Sequence, residues 1–340
     1  MRIIIGLLLT FGLVAPSFAL DKVKLMQTFF STVMVRGYKS DGGLAYGSGV
    51  VVGPNKVLTS CHTFRQTGKP WVSQGEETFS ILSVKADRWH DLCLATTFGM
   101  PTAPVEIGTS YNLKKGEQVV SIGHSNGVPS PLTTTGTVRS SFKFDDGYII
   151  RSGARFALGA SGSGLYNATG QLIGINTFKT IGHFAYFYAV PIDWLKQLET
   201  MPDETVFPII GKAFWEEDDD KKPYFMQTAI PEIKGNWSQL KTVSESWVKA
   251  EPNNVDAMFE LGFANEHLGD VSTANTIYSK ILTTEANHPE TLFRIGVMAR
   301  NSGDSDKVFA IEKQLADVDE DIAYDFTERV INCKKECDKL

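Results

Sequence analysis

The chain has 340 residues, room for two domains of ordinary size, with 33 basic and 39 acidic side chains and a formal net charge of −6. That mildly acidic balance carries no basic stripe and argues against nucleic acid as a partner. Beyond residue 19 no apolar run reaches the length a membrane helix needs, about 20 residues, so no membrane insertion of the mature chain is expected.

Residues 1–19 read as a secretory signal, removed after Ala19. Arg2 supplies the positive end, Ile3 to Val14 the apolar core, and Ser17-Phe18-Ala19 the small-x-small cleavage site. From 28 to 140 the chain offers short β-branched and aromatic runs: Phe29 to Val35, Val50 to Val52, Lys56 to Thr59, Phe79 to Val84, Leu92 to Thr97 and Gln118 to Ile122. Turn clusters such as Asp41-Gly42-Gly43 and Gly53-Pro54-Asn55 separate them. Short strands at that spacing predict a sandwich or a barrel. The pattern continues over 132–198 and closes with a short helix from Asp193 to Leu198.

Three stretches within this β region carry chemistry. Gly47-Ser48-Gly49-Val50-Val51-Val52 leads to a strand ending in Cys61-His62. His90-Asp91 opens the apolar strand Leu92-Cys93-Leu94-Ala95. Gly159-Ala160-Ser161-Gly162-Ser163-Gly164 sets a serine among glycines. Alone, each has a plain reading: a core histidine, a strand-opening aspartate, a surface turn. Together they give the order His…Asp…Ser, and a serine on a glycine turn is what acyl transfer needs, because backbone N–H groups can then converge on an oxyanion.

In these motifs the chain from about 21 to 200 resembles the trypsin-like serine proteases, most closely the bacterial HtrA type. Asp91-Leu92-Cys93-Leu94 resembles that family's D-[IL]-A-L. Gly159 to Ser163 resembles its G-N-S-G-G, Gly170 to Thr177 its G-x-[VI]-I-G-I-N-T, and Val119 to His124 its V-x-A-I-G-N. The resemblance implies a chymotrypsin-like double β-barrel over 20–202 in an exported protein, periplasmic or secreted, that cleaves polypeptides without a cofactor. It implies Ser161 as nucleophile, His62 as base, Asp91 as its orienting carboxylate, and an oxyanion hole from the N–H groups of Gly159 and Ser161. It further implies a Cys61–Cys93 disulfide, which leaves Cys333 and Cys337 to pair with each other or stay free. Arg155 and Phe156 fall at the base of the implied specificity pocket and Asn176, Thr177 and Phe178 along its wall, with small or medium aliphatic residues as the implied preference.

Two departures matter. Ala160 replaces the aspartate with which digestive relatives pair a freed N-terminus, so no zymogen activation of that kind is expected. Ser163 replaces a glycine, and a positive φ there would strain a serine. His90, His124 and His183 are scattered, without metal-ligand spacing, and no metal is expected.

Residues 203–235 hold the charge run Glu216 to Lys222 between prolines and read as a linker. From 236 to 340 the period turns helical and repeats. Leu261-Gly262 recurs 34 residues on as Ile295-Gly296, and Gly269-Asp270 as Gly303-Asp304. That period resembles tetratricopeptide repeats, with Ala274, Tyr278 and Ile281 on the packing face and Trp237 to Ala250 as the last helix of a preceding repeat. Such an array implies a protein-binding or assembly role. The leading reading is thus an exported serine endopeptidase with a recruiting helical domain. The competing readings are a catalytically latent, chaperone-like scaffold acting through the repeats, and an esterase using the same triad.

Overall fold

The computed structural model describes residues 20–181 and 185–333. The signal expected over 1–19, His183 and Cys337, and with Cys337 the fate of Cys333, lie outside the described residues. The described chain forms two compact units. Residues 20–141, 147–177 and 189–210 make the first; residues 142–146, 178–181, 185–188 and 211–333 make the second.

In the first unit, α1 (Lys22–Phe30) starts at Asp21, whose carboxylate accepts the N–H groups of Val23 and Lys24. Then come β1 (Thr32–Tyr38), β2 (Leu44–Gly53), β3 (Lys56–Ser60), β4 (Trp71–Gln74), β5 (Glu77–Asp87) and β6 (Leu92–Thr97). They close into a barrel in the order β1-β2-β3-β6-β5-β4. A second barrel follows: β7 (Gln118–Gly123), β8 (Leu132–Phe144), β9 (Gly147–Ser152), β10 (Gly164–Asn167), β11 (Leu172–Ile181) and β12 (Ala185–Pro191), in the order β10-β11-β12-β9-β8-β7. The expected double barrel is therefore present, followed by the short helix α2 (Leu195–Leu198).

β-Branched residues dominate both barrels because they fit a pleated, buried surface. Val33, Val35, Val51, Val57, Val72 and Val84 are fully buried in one core, with Cys61 and Cys93 beside them. Val119, Val138, Ile150, Leu165 and Ile173 fill the other. Each such side chain contributes about 1.5–3 kcal/mol on burial.

The second unit contains α3 (Tyr224–Gln227), α4 (Ala229–Ile233), α5 (Trp237–Ala250), α6 (Val255–His267), α7 (Val271–Thr284), α8 (Pro289–Asn301), α9 (Ser305–Val318) and α10 (Glu320–Phe326). The 34-residue period shows in its turns. Gly235, Gly269 and Gly303 each take a positive φ, 62°, 85° and 80°, the left-handed conformation that suits glycine after a helix. The next residues, Asn236, Asp270 and Asp304, cap the following helices by accepting the N–H of Gln239, Thr273 and Lys307. Ala274, Tyr278 and Ile281 are fully buried. Arg294, also buried, is neutralised by Glu266, whose Oε2 accepts both Arg294 Nε–H at 3.1 Å and the Tyr278 hydroxyl at 2.8 Å.

Within 203–235, Ile209 enters the first barrel's core, while Phe214 and Phe225 are buried in the second unit. The charge run itself is solvated: Lys221 pairs with Asp218, and Lys222 with Asp219, each at 2.8 Å.

Candidate active site

His62 sits on a single 3-10 turn, Cys61–Phe64, directly after β3. Asp91 lies between β5 and β6 in the left-handed region, φ 57°, which aspartate tolerates better than most residues other than glycine. Pairing of β3 with β6 sets Thr59 opposite Cys93 and Ser60 opposite Leu92. The next residues on each side are then brought together. Cys61 N–H donates to the Asp91 carbonyl at 3.2 Å, and the expected Cys61–Cys93 disulfide is formed.

The carboxylate of Asp91 is wholly buried and faces His62 twice. Its Oδ1 accepts the His62 backbone N–H at 2.8 Å and its Oδ2 is 2.6 Å from Nδ1. An ionised carboxylate can only accept, so Nδ1 carries the proton and the lone pair of the neutral ring sits on Nε2. Arg65, three residues beyond His62, brings its guanidinium to 3.9 Å from Asp91 Oδ1.

Ser161 is half-buried, and its hydroxyl donates to the Thr177 carbonyl at 3.3 Å. Its backbone reaches the His62 side of the unit through β2. A Cβ at Gly47 would lie 2.8 Å from Thr63 and 3.1 Å from the Ser161 carbonyl, so only glycine leaves room there. Gly159 takes φ 93°. The preceding carbonyl, Leu158, accepts the Asn126 N–H at 2.6 Å. Because the peptide is planar and trans, that bond turns the Gly159 N–H the opposite way. The Ala160 carbonyl accepts Ser163 N–H at 2.9 Å and so orients the Ser161 N–H in the same manner. His124, at the start of the turn carrying Asn126, is buried, and burial pushes its imidazole down, which keeps it neutral near pH 7.

The strain that a positive φ would place on Ser163 does not arise. The positive φ falls on Gly162, at 86°, where a Cβ would meet the Ser48 carbonyl at 2.2 Å. Ser163 instead contributes its hydroxyl, which accepts Asn176 Nδ2–H at 2.9 Å. Asn176, expected along a pocket wall, is fully buried and also donates to Ser121 Oγ at 2.9 Å, tying strands together. Thr177 presents its carbonyl to Ser161. Phe178 is buried in the second unit, 4.9 Å from the Tyr188 ring and 5.6 Å from that of Phe214. Of the two residues expected at the pocket base, Phe156 is buried and Arg155 exposed. Among the described residues no group of three or more His, Cys, Asp or Glu side chains could hold a metal ion.

Residues 47–175 match the trypsin-like peptidase domain family. The serine protease HTRA1 of Xenopus tropicalis is 27% identical over 174 residues, 48% of this chain and 37% of that protein. The putative serine protease HhoA of Synechocystis sp. is 28% identical over 166 residues, 45% of this chain and 42% of that protein. The chain thus spans less than half the length of these curated relatives. Among solved structures, the active form of the Rv3671c protease from M. tuberculosis matches with a TM-score of 0.49 and 20% identity, over 61% of this chain and 99% of that one. The HtrA-type protease AlgW with a tripeptide matches with a TM-score of 0.48 and 21% identity, over 54% and 62%.

Proposed function

We propose, from the match of residues 47–175 to the trypsin-like peptidase domain family, that the chain is an exported serine endopeptidase of HtrA type whose triad is His62, Asp91 and Ser161. In this reading Ser161 Oγ attacks the scissile carbonyl while His62 Nε2 takes its proton. The N–H groups of Gly159 and Ser161 receive the oxyanion. Collapse of the tetrahedral intermediate passes the proton from His62 to the leaving amine and leaves an acyl-enzyme on Ser161. Water, deprotonated by the same imidazole, then hydrolyses the ester. Asp91 holds the ring in the tautomer that leaves Nε2 basic and stabilises the imidazolium.

The observation that carries the reading is the pairing of His62 Nδ1 with Asp91 at 2.6 Å, inside a wholly buried carboxylate site. Export rests on the signal read in residues 1–19. The 34-residue helical period supports a tetratricopeptide-like domain that recruits a protein partner or substrate. The latent-scaffold reading draws on one contact, the Ser161 hydroxyl aimed at the Thr177 carbonyl.

A fluorophosphonate activity probe separates the two. The wild-type protein is expected to label at Ser161, and Ser161→Ala and His62→Ala to lose labelling by about 10⁴-fold or more. A folded wild type that does not label would overturn the peptidase reading in favour of the scaffold.

A further inference from the structure

The Gly47-Ser48-Gly49 stretch contains a serine that the triad does not use, yet every polar group of that serine is engaged. Ser48 has no exposed surface. Its N–H donates to the Ser161 carbonyl at 2.7 Å. Its carbonyl accepts the Thr59 hydroxyl at 2.6 Å. Its own hydroxyl donates to the Gly159 carbonyl at 2.8 Å and accepts the His124 N–H at 2.9 Å.

The carbonyls of the turn, taken in order, show what this does. Leu158 is held by Asn126 N–H, Gly159 by Ser48 Oγ–H, Ala160 by Ser163 N–H and Ser161 by Ser48 N–H. All four peptide planes are fixed, and one residue supplies two of the four donors. Ser48 acts on a third plane indirectly. Its hydroxyl anchors His124, where the turn begins that offers Asn126 N–H to Leu158. The Gly159 and Ser161 N–H groups share planes with the Leu158 and Ala160 carbonyls, held by Asn126 and Ser163, and the two planes that Ser48 holds, 159–160 and 161–162, follow them directly in the turn. Oxyanion stabilisation depends on that kind of fixed dipole, set before the reaction starts.

We infer that Ser48 is a positioning residue for the oxyanion turn, its hydroxyl clamping the Gly159 carbonyl and the His124 turn so that the Gly159 and Ser161 N–H groups are held ready for the developing charge. The inference rests on the peptidase reading above and adds to it a residue of β2, outside the turns that hold His62, Asp91 and Ser161. Glycine at 47 and 49 is part of the device. A Cβ at Gly47 would meet the Ser161 carbonyl at 3.1 Å, and one at Gly49 would meet Val57 at 2.6 Å, so β2 can approach the turn closely only without those side chains.

The test is the rate of fluorophosphonate labelling as a function of probe concentration and pH, on the full chain, well below the thermal transition of each variant. Ser48→Ala is expected to lower the maximal labelling rate by about 10–100-fold, approaching the loss seen when an oxyanion donor is removed. The half-saturating probe concentration and the pH of the acidic limb, which belong to binding and to His62, should stay at the wild-type values. Ser48→Cys, nearly isosteric and a weaker donor, should fold and fall between the two. Wild-type labelling rates in folded Ser48→Ala or Ser48→Cys, with only a lower melting temperature, would show a purely structural serine and overturn the inference. A shifted acidic limb would also overturn it, by placing the effect at His62. An unlabelled wild type would instead bring down the peptidase reading itself, and this inference with it.

Discussion

A carboxylate cut off from solvent has to be neutralised by groups the fold supplies, or it will not stay ionised. Asp91 is such a group, and two basic side chains meet it: the His62 ring at 2.6 Å and the Arg65 guanidinium at 3.9 Å. Both come from one tight turn, since Arg65 follows His62 by three residues and its N–H returns to the His62 carbonyl. Arg65, always charged, therefore supplies Asp91 with a cation that does not depend on the state of His62. Replacing Arg65 by Gln takes that cation away from a buried carboxylate and should lower stability by about 1–2 kcal/mol, read as a lower urea midpoint. Arg65→Lys should restore most of it. An unchanged midpoint in Arg65→Gln would show that the buried Asp91 does not depend on the arginine. His62, Asp91 and Ser161 could be singled out in the sequence because each stands in a local motif and the three come in a recognisable order. Arg65 and Ser48 could not be, because their partners are distant in the chain: Asp91 lies 26 residues on from Arg65, and Gly159 lies 111 from Ser48. The trace they leave is faint, a serine between two glycines and a basic residue one short turn after a histidine.

At the level of elements, β3 leads into His62 and β6 follows Asp91, and the disulfide joins the end of β3 to the start of β6. Its loop spans 32 residues, for which loop-closure entropy in the unfolded chain gives about 3–4 kcal/mol. The double variant Cys61→Ala, Cys93→Ala should lose stability of that order, read as a lower urea midpoint followed by labelling activity. Both sulfurs are buried, at 1% and 0% exposure, so dithiothreitol added to the native protein should leave labelling unchanged. Rapid loss of labelling under those conditions would mean the bridge opens in the folded state. β3 and β6 were legible almost to the residue, because alternating β-branched side chains between turn residues leave few alternatives. The start of the chain was not. Phe29 and Phe30 favour a strand, yet they end α1, because Asp21 caps a helix eight residues earlier and the strand begins only at Thr32. β4, four residues long, is too short for alternation to stand out. The helices were clearer, since a glycine followed by a capping Asn or Asp at every 34th position marks each turn twice. Trp237 to Ala250 forms one helix as expected.

For the molecule as a whole, the second unit is assembled from three separate pieces of chain, and its aromatic residues show how. Phe142, near the end of β8, stacks on Phe225 of α3 at 4.3 Å with an 11° interplanar angle. Phe225 also lies 5.5 Å from Tyr188 on β12, and Phe142 lies 6.1 Å from Trp247 on α5. Phe144 and Phe178 both pack on Phe214, at 4.4 and 5.6 Å. No local pattern announces this layer. Each phenylalanine reads in sequence as one more alternating strand residue or one more residue of a proline-flanked linker, and only the closed barrels bring residues 142–146, 178–181 and 185–188 to the same unit as 211–333. If the three pieces form one cooperative core, substitutions in different pieces must interact. Phe142→Leu and Phe225→Leu should each lower stability, and the double-mutant cycle should return a coupling of about 0.5–1.5 kcal/mol, the range for a stacked aromatic pair beyond its area. Urea unfolding followed by tryptophan fluorescence measures it, with Trp247 beside the pair as reporter. A coupling near zero, with both single variants destabilised, would mean the rings are buried separately and that the β8 end does not share the helical core. A coupling in the expected range would make the pair one element of the second unit's interior, with a residue of the barrel sheet stabilising helices that begin more than 80 positions later in the chain.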